Sequence, residues 1–409
     1  MTARAVAYSS TREFVPLYGL YALLFADHGL STGAISSLFV IWSVVAFVSE
    51  VPSGAWADTV SRRGLLFGSG ALVAVAFALW ILWPTYWGFA AGFALWGVGE
   101  SLKSGTFEAL VYDELAALGA EHRYTATMGY ANAGEMVCVF VATTTAAPLY
   151  DIGGYALVGW VSVALIVANT ALVATLPSAP RTADADEFAG ERSFVSRYVA
   201  TVRAGTGEVR TDRVVRRAVL LAAALLAFLA LDEYFGLLAR EGGAATEYVP
   251  LLVALTVVGQ VVGAATAGLT ASMGGAAAGG VVVTGAVALA AGSVLGGVTA
   301  VGVTGVLGFV AIGVGYGALH NAAIVAEARV QETMSGRARA TVASLVGLVS
   351  EVVSVTVYAG FAFGSVWFPL WASMVATAVL LLGVGIVAVR WLPATAGSTR
   401  SPSVDSQSH

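Results

Sequence analysis

The sequence is poor in almost everything a soluble protein keeps on its surface. Charged residues are 11% of 409, and lysine occurs once, at Lys103. Cys138 is the single cysteine, which excludes a disulfide framework and a thiolate metal cluster. The four histidines (His28, His122, His320, His409) are scattered without metal-ligand spacing, so no metal and no cofactor is expected. There is no Gly-x-x-x-x-Gly-Lys-Ser/Thr loop, which excludes nucleotide hydrolysis by that route. No paired nucleophile and base points to an enzyme, and no basic aromatic patch points to nucleic acid. No small-residue cleavage site follows the apolar stretch 14–26, so a cleavable leader is not expected.

What is present is apolar. Hydrophobic residues are 58% of the chain and the mean hydropathy is +0.83. A soluble core of this size needs far less, so the composition predicts an all-α polytopic membrane protein. Twelve apolar segments approach the ~20 residues that span a bilayer core. Their expected bounds are 13–30, 33–57, 64–83, 86–111, 124–148, 154–176, 214–238, 247–271, 276–297, 300–325, 339–363 and 366–391. Forty-eight glycines fit helices that pack backbone to backbone in lipid.

The arginines orient the chain. With the N-terminus inside, Arg4, Arg12, Arg62, Arg63, Arg123, Arg329, Arg337, Arg339, Arg390 and Arg400 fall on the cytoplasmic side, and the external loops hold Arg240 alone. That asymmetry places both termini in the cytoplasm and the chain in the cell membrane. Residues 177–213 are the one long charged loop. Within it Phe194, Tyr198 and Val202 recur every four residues, as in an amphipathic helix lying on the inner face. The expected units are therefore six-helix bundles at 1–176 and 214–392, joined by 177–213, with a disordered tail at 393–409 rich in Ser, Thr, Ala and Gly. The halves carry a repeat: Glu135 follows Arg123 by twelve residues, and Glu351 follows Arg339 by twelve. Helical rise puts each glutamate ~18 Å along its helix, near mid-bilayer.

A tight corner joins segments 2 and 3: Glu50-Val-Pro52-Ser-Gly54-Ala-Trp-Ala-Asp58-Thr-Val-Ser61-Arg62-Arg63. Gly54, Asp58, Ser61, Arg62 and Arg63 match, position by position, the corresponding loop of the major facilitator superfamily, and Glu50 and Pro52 extend the match. The chain resembles that superfamily over roughly residues 13 to 391. The resemblance implies the major facilitator fold, two six-helix pseudo-repeats that form a transporter. It also implies that Asp58, Arg62 and Arg63 latch the two halves at the cytoplasmic side in the outward-open state, with Asp113 as a partner for Arg62 or Arg63. Two departures stand beside it. The loop from Gly268 to Gly275 has lost the acid and both bases, and Ala147-Pro148 with Gly153-Gly154 fits the antiporter motif of segment 5 poorly.

A charge at mid-bilayer costs ~2.5–3.5 kcal/mol even on a lenient scale, so each needs a partner or water. Glu100, Lys103, Ser104 and Glu108 form a stripe on segment 4, either a self-neutralising pair or part of a substrate cavity. Superfamily members line that cavity with segments 1, 4, 7 and 10. Glu135 and Glu351 have no partner on their own helices, so either could carry a proton or bond across a helix interface. Glu50 is expected in the loop network, Asp27 and His28 at the solvated external edge. Asp232 and Glu233 lie in segment 7, facing the cavity or its mouth. His320 and Asn321, in segment 10, read as packing residues or proton carriers. Glu327, Glu332, Arg337 and Arg339 look like the inner-surface counterpart of the first-half network. Together these predict a monomeric secondary transporter of a small molecule, proton-coupled and with efflux as one direction. The competing expectation is a receptor or scaffold that kept the fold without transport.

Overall fold

A computed structural model describes residues 1–177, 212–332 and 338–393, without the side chains of 51, 52, 54–59 and 338–341. The amphipathic pattern at 194–202, Arg337, the side chain of Arg339 and the tail lie outside the described residues. The described chain is built of helices: α1 (Thr2–Arg12), α2 (Tyr21–Asp27), α3 (Thr32–Thr59), α4 (Arg62–Leu82), α5 (Tyr86–Lys103), α6 (Thr106–Ala117) and α7 (Tyr124–Leu172) before residue 177. After it come α8 (Arg213–Ala227), α9 (Phe235–Glu241), α10 (Val249–Thr270), α11 (Gly275–Val298), α12 (Gly302–Glu332), α13 (Ala338–Gly364) and α14 (Leu370–Trp391). Large apolar side chains such as Leu269, Val303 and Phe363 point outward and are exposed, as lipid-facing residues are.

Nine helices among the described residues are long and apolar enough to cross a membrane, three fewer than the twelve segments expected. Each difference has a local cause. α7 is two arms joined at Gly153-Gly154, where Gly154 has φ +58 and ψ −159, a conformation only glycine takes easily. The first arm runs beside α1, with Glu135 at Ser9. The second returns along it, with Tyr155 at Asp27, Ser162 at Leu17 and Asn169 at Tyr8. The first segment starts at Thr2 rather than 13 and breaks at Pro16. Proline cannot donate its N–H and pushes the preceding Val15 into extended backbone (φ −124, ψ 95). The N–H of Leu17, freed by the break, donates to Ser162 Oγ at 3.0 Å. The fourth segment breaks at Ser104-Gly105, where Gly105 takes φ +69.

The seventh segment also loosens, into a 3-10 stretch at Phe228–Tyr234 between α8 and α9. The interrupted segments 1 and 7 thus head the two halves, and each ends in a seven-residue helix, α2 or α9. Elsewhere glycine sets the spacing. A Cβ built on Gly259 of α10 would lie 1.9 Å from the carbonyl oxygen of Gly313 on α12, and one on Gly263 would lie 2.0 Å from that of Gly317. The two backbones touch along this seam, as small-xxx-small packing requires. Substituting Gly259 by Ala should lower the thermal midpoint of purified protein by several degrees, the cost of overpacking a closed seam. G268A, whose added methyl meets nothing within 4 Å, should leave the midpoint unchanged.

Candidate functional site

Arg12 is the centre of the first buried cluster. It closes α1, ten residues from its start and so ~15 Å into the segment, far from the cytoplasmic edge expected of it. Its side chain is 12% exposed. Nη2 donates to Glu100 Oε1 at 2.5 Å, and Nη1 lies 3.6 Å from Glu13 Oε1 in the unwound stretch. Trp96 Nε1 donates to the same Glu100 oxygen at 3.2 Å. Lys103 sits within electrostatic reach of Glu13 and Glu100. Glu135 accepts from Ser9 across the α1–α7 contact. Glu100 is therefore neutralised by another helix and not by its own Lys103 alone. Sequence reading missed Arg12 because hydropathy drew the first segment eleven residues too late.

A cavity of about 540 Å³ opens beside this cluster, between α3, the α5–α6 break and α13. Trp42, Phe47 and Glu50 line it from α3, Ser101 and Ser104 from the break, and Glu351 from α13. Glu50 and Ser104 are exposed to it. Glu50 was expected in the loop network; instead it lines this cavity, about two and a half helical turns before α3 ends at Thr59. Oε1 of Glu351 and Nε1 of Trp42 are buried without a hydrogen-bond partner among the described residues.

The corner itself is in place. Ser61 caps α4 by accepting from Gly64 N at 3.1 Å. Arg62 pairs with Asp113 of α6 and donates to Ala109 O at 2.6 Å, while Arg63 donates to Ala174 O at 2.8 Å. Gly54 and Asp58 lie in the last turns of α3, and the side chain of Asp58 is outside the described residues. The second half reverses the arrangement. Arg329, 3% exposed at the end of α12, donates to Ala271 O, Met273 O and Pro393 O. Arg329 lies 216 residues after Asp113, the same offset that relates Glu135 to Glu351. The cross-link between loop and neighbouring helix survives, with the cation moved from the loop to the helix.

The other candidates scatter. Asp232 is exposed and Glu233 half-buried in the 3-10 stretch. Glu108 lies in the first turn of α6, its Oε2 buried without a partner among the described residues. His320 faces the Tyr316 ring at 6.3 Å. Asn321 belongs to packing: it is 5% exposed, donates to Gly263 O and Thr266 Oγ1, and accepts from Thr270. At the far face, opposite the corner, the expected solvated residue Asp27 is instead bound. Arg240 of α9 chelates it, with Nη2 to Oδ2 at 2.9 Å, and Tyr155 donates to it at 2.5 Å. Around this pair Ser36 bonds Tyr234 at 2.8 Å, Phe39 packs on Tyr358, and Gly33 abuts Ala362.

The sequence matches the Major Facilitator Superfamily over residues 5–357. The fold is similar to that of the nucleoside transporter NupG, with a TM-score of 0.74 and 13% identity over 95% of this chain and 99% of that one. It is also similar to a bacterial homologue of the human lysosomal transporter Spinster in an inward-facing and occupied conformation. There the TM-score is 0.71 and the identity 13%, over 95% of each chain. Identities this low speak for the fold alone. No curated protein matches the sequence. The chain belongs to the Major Facilitator Superfamily: it is a multi-pass membrane transporter by family, not an enzyme.

The Arg12–Glu100 pair makes an asymmetric forecast. R12L leaves two carboxylates without their cation and should destabilise by about 3–5 kcal/mol. E100Q leaves Arg12 with Glu13 and should cost clearly less, and R12L/E100Q should recover part of the single-mutant loss. Thermal unfolding of the three variants in one detergent measures this.

Proposed function

We propose that this superfamily member carries a small solute across the cell membrane by alternating access, and that the structure captures its inward-facing state. The observation behind the reading is a division between two faces. At the corner face the cavity separates α3 and α5 from α13. At the far face the same halves are stitched by Asp27–Arg240, Ser36–Tyr234 and Phe39–Tyr358. A cavity bounded by both halves and closed at one end is what a rocking mechanism requires. Arginine supports the orientation, since Arg4, Arg62, Arg63, Arg123, Arg329 and Arg390 belong to the corner face and Arg240 to the other. The solved Spinster homologue with this fold is itself described as inward-facing.

Two details strengthen transport over a receptor or scaffold. The degenerate loop after α10, the main support for the scaffold, is still cross-linked through Arg329. Segments 1, 4 and 7 are each interrupted in mid-course, and such joints let helices bend without losing their packing elsewhere. Proton coupling is the finer part of the reading. Among the described residues Glu50 and Glu351 have no base beside them in the cavity lining, and taking up a proton would relieve an unpaired charge in low dielectric.

The Asp27–Arg240 pair is about one-third exposed, so it is worth about 1 kcal/mol and biases the equilibrium without freezing it. Spin labels at Leu118 and Ser272 report the corner face, and labels at Leu82 and Ala245 the far face, all in a Cys138→Ser background. Distances measured in liposomes should change in opposite senses at the two faces. D27N should raise the population closed at the corner and open at the far face about fivefold. Two faces that keep fixed distances in every condition would defeat alternating access.

A further inference from the structure

We propose that the solute is an organic cation with an apolar body, seated between Glu50 and Glu351 against Trp42; this rests on the transporter reading. The cavity of about 540 Å³ is the size of a site for a drug-sized molecule, not a cage for a bare ion. Among the described residues no cluster of His, Cys, Asp and Glu could hold a metal. Among the described residues the lining carries two carboxyl groups, two aromatic rings and several hydroxyls, and no lysine or arginine.

The bases beside it among the described residues are already committed. Arg12 is engaged by Glu100 and Glu13, and Lys103 stands among the same carboxylates. Neither lines the cavity. Glu50 and Glu351 reach it from opposite halves, α3 and α13, and share its lining. One Glu351 oxygen is shielded from solvent and has no well-formed hydrogen bond among the described residues, with the Ser43 hydroxyl of α3 the donor near that carboxylate. An ammonium or phosphonium group between the two carboxylates would neutralise both. Trp42 lines the cavity at the same place, and a cation over an indole face gains further attraction. An anion would meet two like charges and no base among the described residues, and a neutral solute would leave both carboxylates unpaired.

The bridge also ties recognition to motion. Because the carboxylates belong to different halves, a cation held by both would draw α3 toward α13 and favour closure of the corner face. A neutral solute of the same shape has no such differential grip.

Tetraphenylphosphonium and tetraphenylborate match in shape and oppose in charge, and they are the probes of choice. Equilibrium binding to the purified full chain in nanodiscs should be saturable for the phosphonium and absent above the lipid background for the borate. E50Q and E351Q should each weaken phosphonium binding at least tenfold. E351D should restore part of it, and E121Q, in an exposed loop, should not change it. Unchanged thermal midpoints in the Gln variants separate a lost contact from a lost fold. Equal binding of both ions, or wild-type affinity in both Gln variants, would overturn the proposal. The spin-label distances distinguish the two levels: failed cation binding with opposite distance changes intact removes only the solute assignment. Cation binding with rigid faces removes alternating access instead.

Discussion

The membrane interior penalises any charge that lacks a partner or water, by ~2.5–3.5 kcal/mol even on the lenient insertion scale. Nearly every structural choice in this chain answers that penalty in one of two ways. Arg12, Glu13 and Glu100 answer by pairing: their charges meet where α1 ends and the backbone unwinds, with Trp96 completing the shell of Glu100. Glu50 and Glu351 answer by facing a cavity. The first solution fixes segment 1 against segment 4 within one half. The second leaves carboxylates from both halves available to whatever enters between them. A buried pair is stiff because breaking it strands a charge, whereas a carboxylate that faces a cavity is free to take a new partner. The rigid and the responsive parts of the molecule thus follow from how each charge is compensated.

The two faces divide labour in a similar way. The far face is closed by a modest ion pair and by aromatic and small-residue contacts, Phe39 on Tyr358 and Gly33 at Ala362. None of these is strong singly, which suits a seal that must open. The corner face relies on cross-links within each half: Arg62 to Asp113 in the first, Arg329 to Ala271 and Met273 in the second. In the proposed rocking these would keep each half rigid while the space between them widens. Moving the cation from loop to helix in the second half preserves the mechanics while erasing the sequence motif.

Much of this was legible in the sequence. Apolar segment length and the corner motif carried the superfamily and the helical architecture, and the match over residues 5–357 agrees. Asp113 as a partner for Arg62 or Arg63 came with the resemblance, and the structure pairs it with Arg62. Four features escaped. Arg12 was hidden because a hydropathy window treats a charged residue as a segment end, although pairing with Glu100 lets it lie inside. Glu50 was assigned to the loop network because it extends the corner motif, although α3 runs on past it to Thr59. Arg240 and Asp27 looked like isolated external charges because they lie 213 residues apart, and only the fold brings their helix ends together. Arg329 could have been found from the 216-residue offset to Asp113, had the repeat been extended beyond its glutamates.

The central claim is that charged groups persist in this membrane protein because a watery crevice, closed at the far face, reaches them from the corner face. Single cysteines in a Cys138→Ser background test it with a membrane-impermeant maleimide. Ser104→Cys and Gly347→Cys, both exposed beside the cavity, should react from the corner face. Ser36→Cys, buried under the far seal, and Leu380→Cys, exposed midway along α14, should not. If Ser104→Cys and Gly347→Cys prove as unreactive as Leu380→Cys, those positions face lipid or packed protein, and the crevice does not exist.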